Sequence, residues 1–279
     1  MQLPHSREQE LIELAADIAN DYCPGGVVDP AHICRKKEIA LLHGNYGEGK
    51  FDGMLVLRKG VWSILCNRDS GNSPGSPRGR FTTSHELGHF FIPEHRRQLM
   101  AGCKSHPSQA GAFDAADCIE ELEADTFAAN LLLPPSRVKV RLRVLSMTPM
   151  QAVVKLRDEF CTSTESTAIQ VMRHDSRVIA IAKWDDEKLA WPRVADSFFR
   201  DGGYRRFRLK NRADLPDECA TSLALKDSPS RFDASIHETV ATASFCFEHV
   251  AVSGTRDLIL REEAIRLGRF GALAIYSLR

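Results

Sequence analysis

The chain has 279 residues, 43% hydrophobic and 27% charged, and its 37 Lys and Arg equal its 37 Asp and Glu. That length exceeds one typical domain and leaves room for two cores, while the neutral balance removes any global electrostatic case for nucleic acid or a membrane as the main partner. The N-terminal MQLPHSREQELIELAADIANDY lacks a basic segment followed by an apolar one, and no window approaches the roughly 18 apolar residues of a membrane span, so a cytoplasmic protein is expected. The eight cysteines are scattered singly without a CxxC, as small buried hydrophobes in a reducing compartment would be.

In chain order, Ser6 and Gln9 form a capping box for a first helix whose face carries Leu11, Leu14, Ala15 and Ile18 and which ends near CPGG. Asp29 and Pro30 read as N-cap and first position of a short helix towards Lys36. IALLH from Ile39, GMLVLR from Gly53 and VWSILCN from Val61 read as strands of a small antiparallel sheet. The turn-rich NRDSGNSPGSPRG then leads into a helix containing RFTTSHELGHFF, which Pro93 terminates. Residues 94–117 show no sustained periodicity and read as a connecting loop with one helical turn. Residues 118–133, CIEELEADTFAANLLL, form a strongly helical pattern that Pro134 and Pro135 stop. Thr148 and Pro149 open a helix to Phe160, and Thr162 with Glu165 caps another to about Arg173, giving a helix, tight turn, helix. Beyond His174 the composition shifts to strand-like RVIAIAKW, SFCFEHVAV, DLILREEAI and GALAIYSL.

The chemistry concentrates in HELGH. Residues four apart share a helical face, so His85 and His89 can hold one ion between their imidazoles. Glu86 lies about 100° around the helix, too far for the ion but within reach of water beside it. In that arrangement a metal lowers the pKa of water and polarises a carbonyl, while Glu86 takes the proton and passes it to the leaving amine. The alternative is a helix that merely contains two histidines. Against it, Leu87, Phe90, Phe91 and Ile92 give the helix an apolar body, and Gly88 permits close approach of another backbone.

Two histidines do not complete a zinc site. The sequence HFFIPEHRRQL lacks the glycine and third histidine of the extended HExxHxxGxxH form, which leaves a carboxylate on the downstream helix. Glu121 and Asp125 share one face there, bordered by Ala124 and Ala128; Glu121 is the expected third ligand. Asp125 would accept a hydrogen bond from the far nitrogen of a ligand histidine and fix its tautomer. Glu120 and Glu123 are expected to be solvated.

RFTTSHELGH followed by EELEADTFAANLLLPP resembles the ImmA/IrrE family of zinc metallopeptidases, whose members carry an R-F-T-x-A-H-E-x-x-H-like helix and a second helix of the form E-x-E-A-[DN]-x-F-A-x-x-L-L-x-P. The resemblance covers roughly residues 8–174, with Ser84 standing where alanine is frequent. It implies His85, His89 and Glu121 as ligands of one zinc ion, with manganese as an alternative for an N,N,O site, and Glu86 as catalytic base. It further implies an intracellular peptidase that cleaves a separate helix-turn-helix repressor and so releases stress or mobile-element genes. WSILCN would either offer its edge to an extended substrate or lie as an internal strand. No residue is singled out for stabilising the developing oxyanion: His95, His106 and Tyr46 are candidates on chemistry alone, and each also reads as an ordinary loop residue.

The expected fold is α+β: a zincin-like peptidase domain at 1–136 with a small antiparallel sheet and the HExxH helix, a helical pair at 137–175 packed on it, and a C-terminal α+β domain at 176–279. By analogy the last would sense a small molecule or dock substrate. The second helix of the pair offers few basic groups, so direct DNA binding is not expected. The competing function is a metal-bound regulatory protein with little turnover that signals through its C-terminal domain.

Overall fold

The computed structural model describes residues 3–102, 119–144, 146–195, 198, 204–228, 235–249 and 257–278. It mixes helices with small sheets and forms two compact units, Met1–Arg137 with Arg157–Ser163, and Val138–Leu156 with Thr164–Arg279. Among the described residues no helix is long and apolar enough to cross a membrane.

The first unit opens with helix α1 (His5–Tyr22), which starts one residue before the expected Ser6 cap and has Pro4 at its N-cap instead. Asp29 caps α2 (Pro30–Lys36), accepting a 3.0 Å hydrogen bond from the Ala31 N–H. Three strands follow, β1 (Ala40–Gly44), β2 (Gly53–Arg58) and β3 (Val61–Asn67), in the order β1-β3-β2. The sheet is mixed rather than antiparallel: β2 and β3 form a hairpin, whereas β1 runs parallel to β3. Lys59 and Gly60 both have positive φ (50° and 79°), the backbone that a two-residue hairpin turn demands. β3 therefore enters between β1 and β2, the two strands that precede it in the chain.

Ser76 accepts from the Gly79 N–H at 3.1 Å and starts α3 (Pro77–Phe91) with Pro77 in the first turn. Every residue from Thr82 to Phe90 is buried, so α3 is the central helix of this unit. Leu87 and Phe90 join a core with Leu11, Ile33, Ile64 and Phe127. Pro93 ends α3 as expected and also begins α4 (Pro93–Met100), a second helix where a loop was expected. The remainder of that expected loop, 103–117, with its Cys103 and His106, lies outside the described residues, as does Cys118 at the start of the next expected helix. Helix α5 (Ile119–Leu132) packs against both α1 and α3.

Proline plays the same double part at Pro135, the first residue of α6 (Pro135–Val144). α7 (Pro149–Phe160) and α8 (Thr164–His174) follow the expected helix, turn, helix. In the second unit β4 (Val178–Trp184), β5 (Leu189–Val194), β7 (Ile236–Thr242), β9 (Ile259–Arg266) and β10 (Ala272–Leu278) make an antiparallel sheet ordered β5-β4-β10-β9-β7. A two-stranded piece pairs β6 (Tyr204–Phe207) with β8 (Phe247–His249), and α9 (Ala220–Lys226) lies on the main sheet. The run SFCFEHVAV is a helical turn, Ala243–Cys246, before β8; its residues beyond 249 are outside the described set.

Adjacent residues on β9 face opposite sides, yet Glu262 and Glu263 are both buried, which shows that the sheet is covered on both faces here. Each carboxylate is satisfied. Glu263 accepts from the Thr148 hydroxyl and, at 3.3 Å, from the Met150 N–H, holding the start of α7 to the sheet. Glu262 accepts from the Thr221 N–H at 3.2 Å and the Thr239 hydroxyl at 3.0 Å.

At the end of α8, burial together with the charges of Lys139 and Arg173 pushes the His174 ring down to about 4. An unfolded histidine titrates near 6.5, so the unfolded chain binds more protons between these values. The stability that His174 contributes is therefore full above about pH 6.5 and is lost as pH falls towards 4. The urea midpoint of the wild type should fall across that window, and His174→Gln should show a shallower fall.

Candidate metal centre

The helical face of α3 that carries His85 and His89 meets Glu121 on α5. Gly88 makes the meeting possible: a Cβ there would lie 3.1 Å from the Ala124 Cα and 3.2 Å from the Phe127 ring. The backbones of α3 and α5 thus touch between the two histidines.

His85 Nε2 lies 3.1 Å from His89 Nε2 and 3.1 Å from Glu121 Oε2, and His89 Nε2 lies 3.3 Å from Glu121 Oε1. Ligands held at about 2.0–2.1 Å around a tetrahedral zinc ion stand about 3.3 Å from one another, so these separations fit. His85, His89 and Glu121 form a group that could hold a metal ion.

Proton positions strengthen the fit. His85 Nδ1 lies 2.8 Å from Asp125 Oδ1, and an ionised carboxylate only accepts, so Nδ1 carries the proton and Nε2 is left for the shared centre. Burial favours a neutral His85 ring. The hydrogen bonds to Asp125 and Glu121 outweigh it and hold His85 well above the ordinary imidazole range. Burial likewise opposes the Glu121 anion, but contact with both histidines holds its carboxyl far below the usual range. Without a cation, a proton on His85 takes that place, so metal uptake competes with acid.

Glu86 is fully buried on α3. The first residue of β2 passes directly over it: a Cβ on Gly53 would come within 2.6 Å of Glu86 Oε1. Only glycine leaves this carboxylate its place.

Three sequence expectations change. Glu123 is buried, not solvated: Arg7 Nε donates to its Oε1 at 2.8 Å and Arg7 Nη2 to its Oε2 at 2.9 Å. β3 is the centre of its sheet, with both edges hydrogen-bonded, so WSILCN has no edge to offer; β2 is an outer strand, and its Gly53 lies beside Glu86. His95 is buried with both ring nitrogens engaged, Nδ1 at 3.1 Å from His89 Nδ1 and Nε2 at 2.9 Å from Glu123 Oε2. These contacts lie on the side of His89 opposite Glu121. Burial, and then the neighbouring His89, lower its pKa. Tyr46 sits in the loop before β2 with its ring 5.1 Å from that of Phe51 and its N–H donating to Asn67 Oδ1. The signal for His95 was Pro93 itself, which can open a helix as readily as it ends one.

No family model and no curated protein matches the chain. Among solved structures it is similar to a Mycobacterium tuberculosis transcriptional regulator, with a TM-score of 0.57 and 12% identity over 98% of this chain and 77% of that one. At that identity the likeness concerns the fold.

Proposed function

We propose that the chain is a zinc-dependent endopeptidase of the ImmA/IrrE kind, with a zincin-like first unit, acting inside the cell on a separate helix-turn-helix repressor. The observation that carries this is the meeting of His85, His89 and Glu121 with Glu86 buried on the same helix. Zinc held by the three ligands would supply Lewis acidity and lower the pKa of water. Glu86 takes the proton of the attacking water and returns it to the leaving amine. Asp125 holds His85 in the tautomer that turns Nε2 towards the centre. β2 is an outer strand of its sheet, and Gly53 brings it next to Glu86, so an extended substrate segment adding as a strand would lie beside that carboxylate.

The test is co-expression with a helix-turn-helix repressor from the same genome. Wild type should yield cleaved repressor, and Glu86→Gln should lower the rate by about 10²–10⁴-fold, the usual contribution of a positioned acid-base group. Equal cleavage by both would reject the mechanism. Metal analysis of the purified protein distinguishes zinc from manganese. A second function, metal-bound regulation with little turnover, finds support in the similarity to a transcriptional regulator. Metal-loaded wild type that binds the repressor and leaves it intact would favour that alternative.

A further inference from the structure

The two ligand histidines are held differently. His85 has a carboxylate of its own, Asp125, whose side chain is 55% exposed. His89 has none, and its Nδ1 instead faces another imidazole in the interior. We propose that Arg7, Glu123 and His95 form a buried relay that fixes the tautomer of His89 and so presents its Nε2 lone pair to the metal. This rests on the metal centre proposed above, and it makes the three positioning residues rather than catalytic ones.

With Glu123 ionised and the His95 ring neutral, the direction of every proton follows. Arg7 donates to both oxygens of Glu123 and is itself steadied by Glu10 and Glu94, at 3.0 and 3.2 Å. A guanidinium only donates and an ionised carboxylate only accepts, so the 2.9 Å contact between His95 Nε2 and Glu123 Oε2 requires the proton on His95. A neutral imidazole has a single N–H, which leaves His95 Nδ1 as a lone pair. The 3.1 Å contact between His95 Nδ1 and His89 Nδ1 then requires the proton on His89 Nδ1. His89 Nε2 is consequently an acceptor, directed at the space shared with His85 Nε2 and Glu121. The relay joins α1, α3, α4 and α5, so the packing of these four helices and the orientation of one ligand share the same contacts.

The test measures zinc affinity of the full chain by competition with a chromogenic chelator, together with the His89 tautomer by two-bond ¹H–¹⁵N correlation. Wild type should bind one zinc and, in the metal-free state, show the His89 proton on Nδ1. His95→Phe fills the space without an acceptor; it should weaken zinc binding about 10–100-fold, the range for outer partners of a ligand histidine, and move His89 towards the Nε2–H form. His95→Gln restores an acceptor oxygen and should recover most of that affinity. Unchanged affinity in His95→Phe, or equal losses in both variants with the tautomer unmoved, overturns the relay while leaving the metal centre standing. A wild type that binds no zinc overturns both. Should His95→Phe not fold, Arg7→Met at the partly exposed end of the relay carries the test. A several-fold loss with the same tautomer shift is expected there, and an unchanged affinity overturns the relay.

Discussion

Glu121→Ala should lose metal binding altogether at concentrations where the wild type is saturated, a fall of more than about 100-fold, since even outer partners of a ligand account for about 10–100-fold. The carboxylate faces both imidazoles at 3.1 and 3.3 Å and is the only anionic ligand of the group. Without it two neutral nitrogens remain, one short of the protein ligands a catalytic zinc site uses. The fold should survive, because Glu121 is not part of the apolar core. Metal content after gel filtration, compared with a thermal unfolding curve in chelator, separates the two effects. Unchanged zinc content would remove Glu121 from the ligand set.

Gly88→Val should damage stability and site together. A Cβ at position 88 already stands 3.1 Å from the Ala124 Cα, a backbone atom that cannot rotate away, and 3.2 Å from the Phe127 ring. Alanine meets that crowding but gains about 0.5–1 kcal/mol of helix propensity over glycine, so Gly88→Ala should cost little on balance. Valine adds two methyl groups to a closed contact, and overpacking of this kind costs about 1–3 kcal/mol. Relief requires α5 to move away from α3, and α5 carries Glu121. Denaturant unfolding should therefore show a lower midpoint, and zinc affinity should fall although no ligand is altered. A stable valine variant with native zinc affinity would contradict the close approach.

Much of the centre was legible because it depends on local periodicity. His85 and His89, and Glu121 and Asp125, are pairs four apart, and helical geometry puts each pair on one face whatever the rest of the chain does. Likewise Asp29 followed by Pro30, and Thr148 followed by Pro149, announce helix starts through groups that act within one turn. Pro93 and Pro135 were harder. A proline that stops one helix also suits the first turn of the next, and nothing local decides between a loop and a new helix.

Composition and helical periodicity establish the chemical groups and the faces they share: two imidazoles, a neighbouring carboxylate, and an acidic pair downstream. Which partners those faces meet depends on the tertiary structure. It put β3 at the centre of the sheet and left β2 as an outer strand over Glu86, a matter of strand pairing that neither segment encodes locally. It also buried Glu123 between Arg7 and His95, residues 116 and 28 positions away. A charged side chain on a helix reads as solvated until a partner from another element removes its desolvation cost, and that partner is visible only once the chain has folded back on itself.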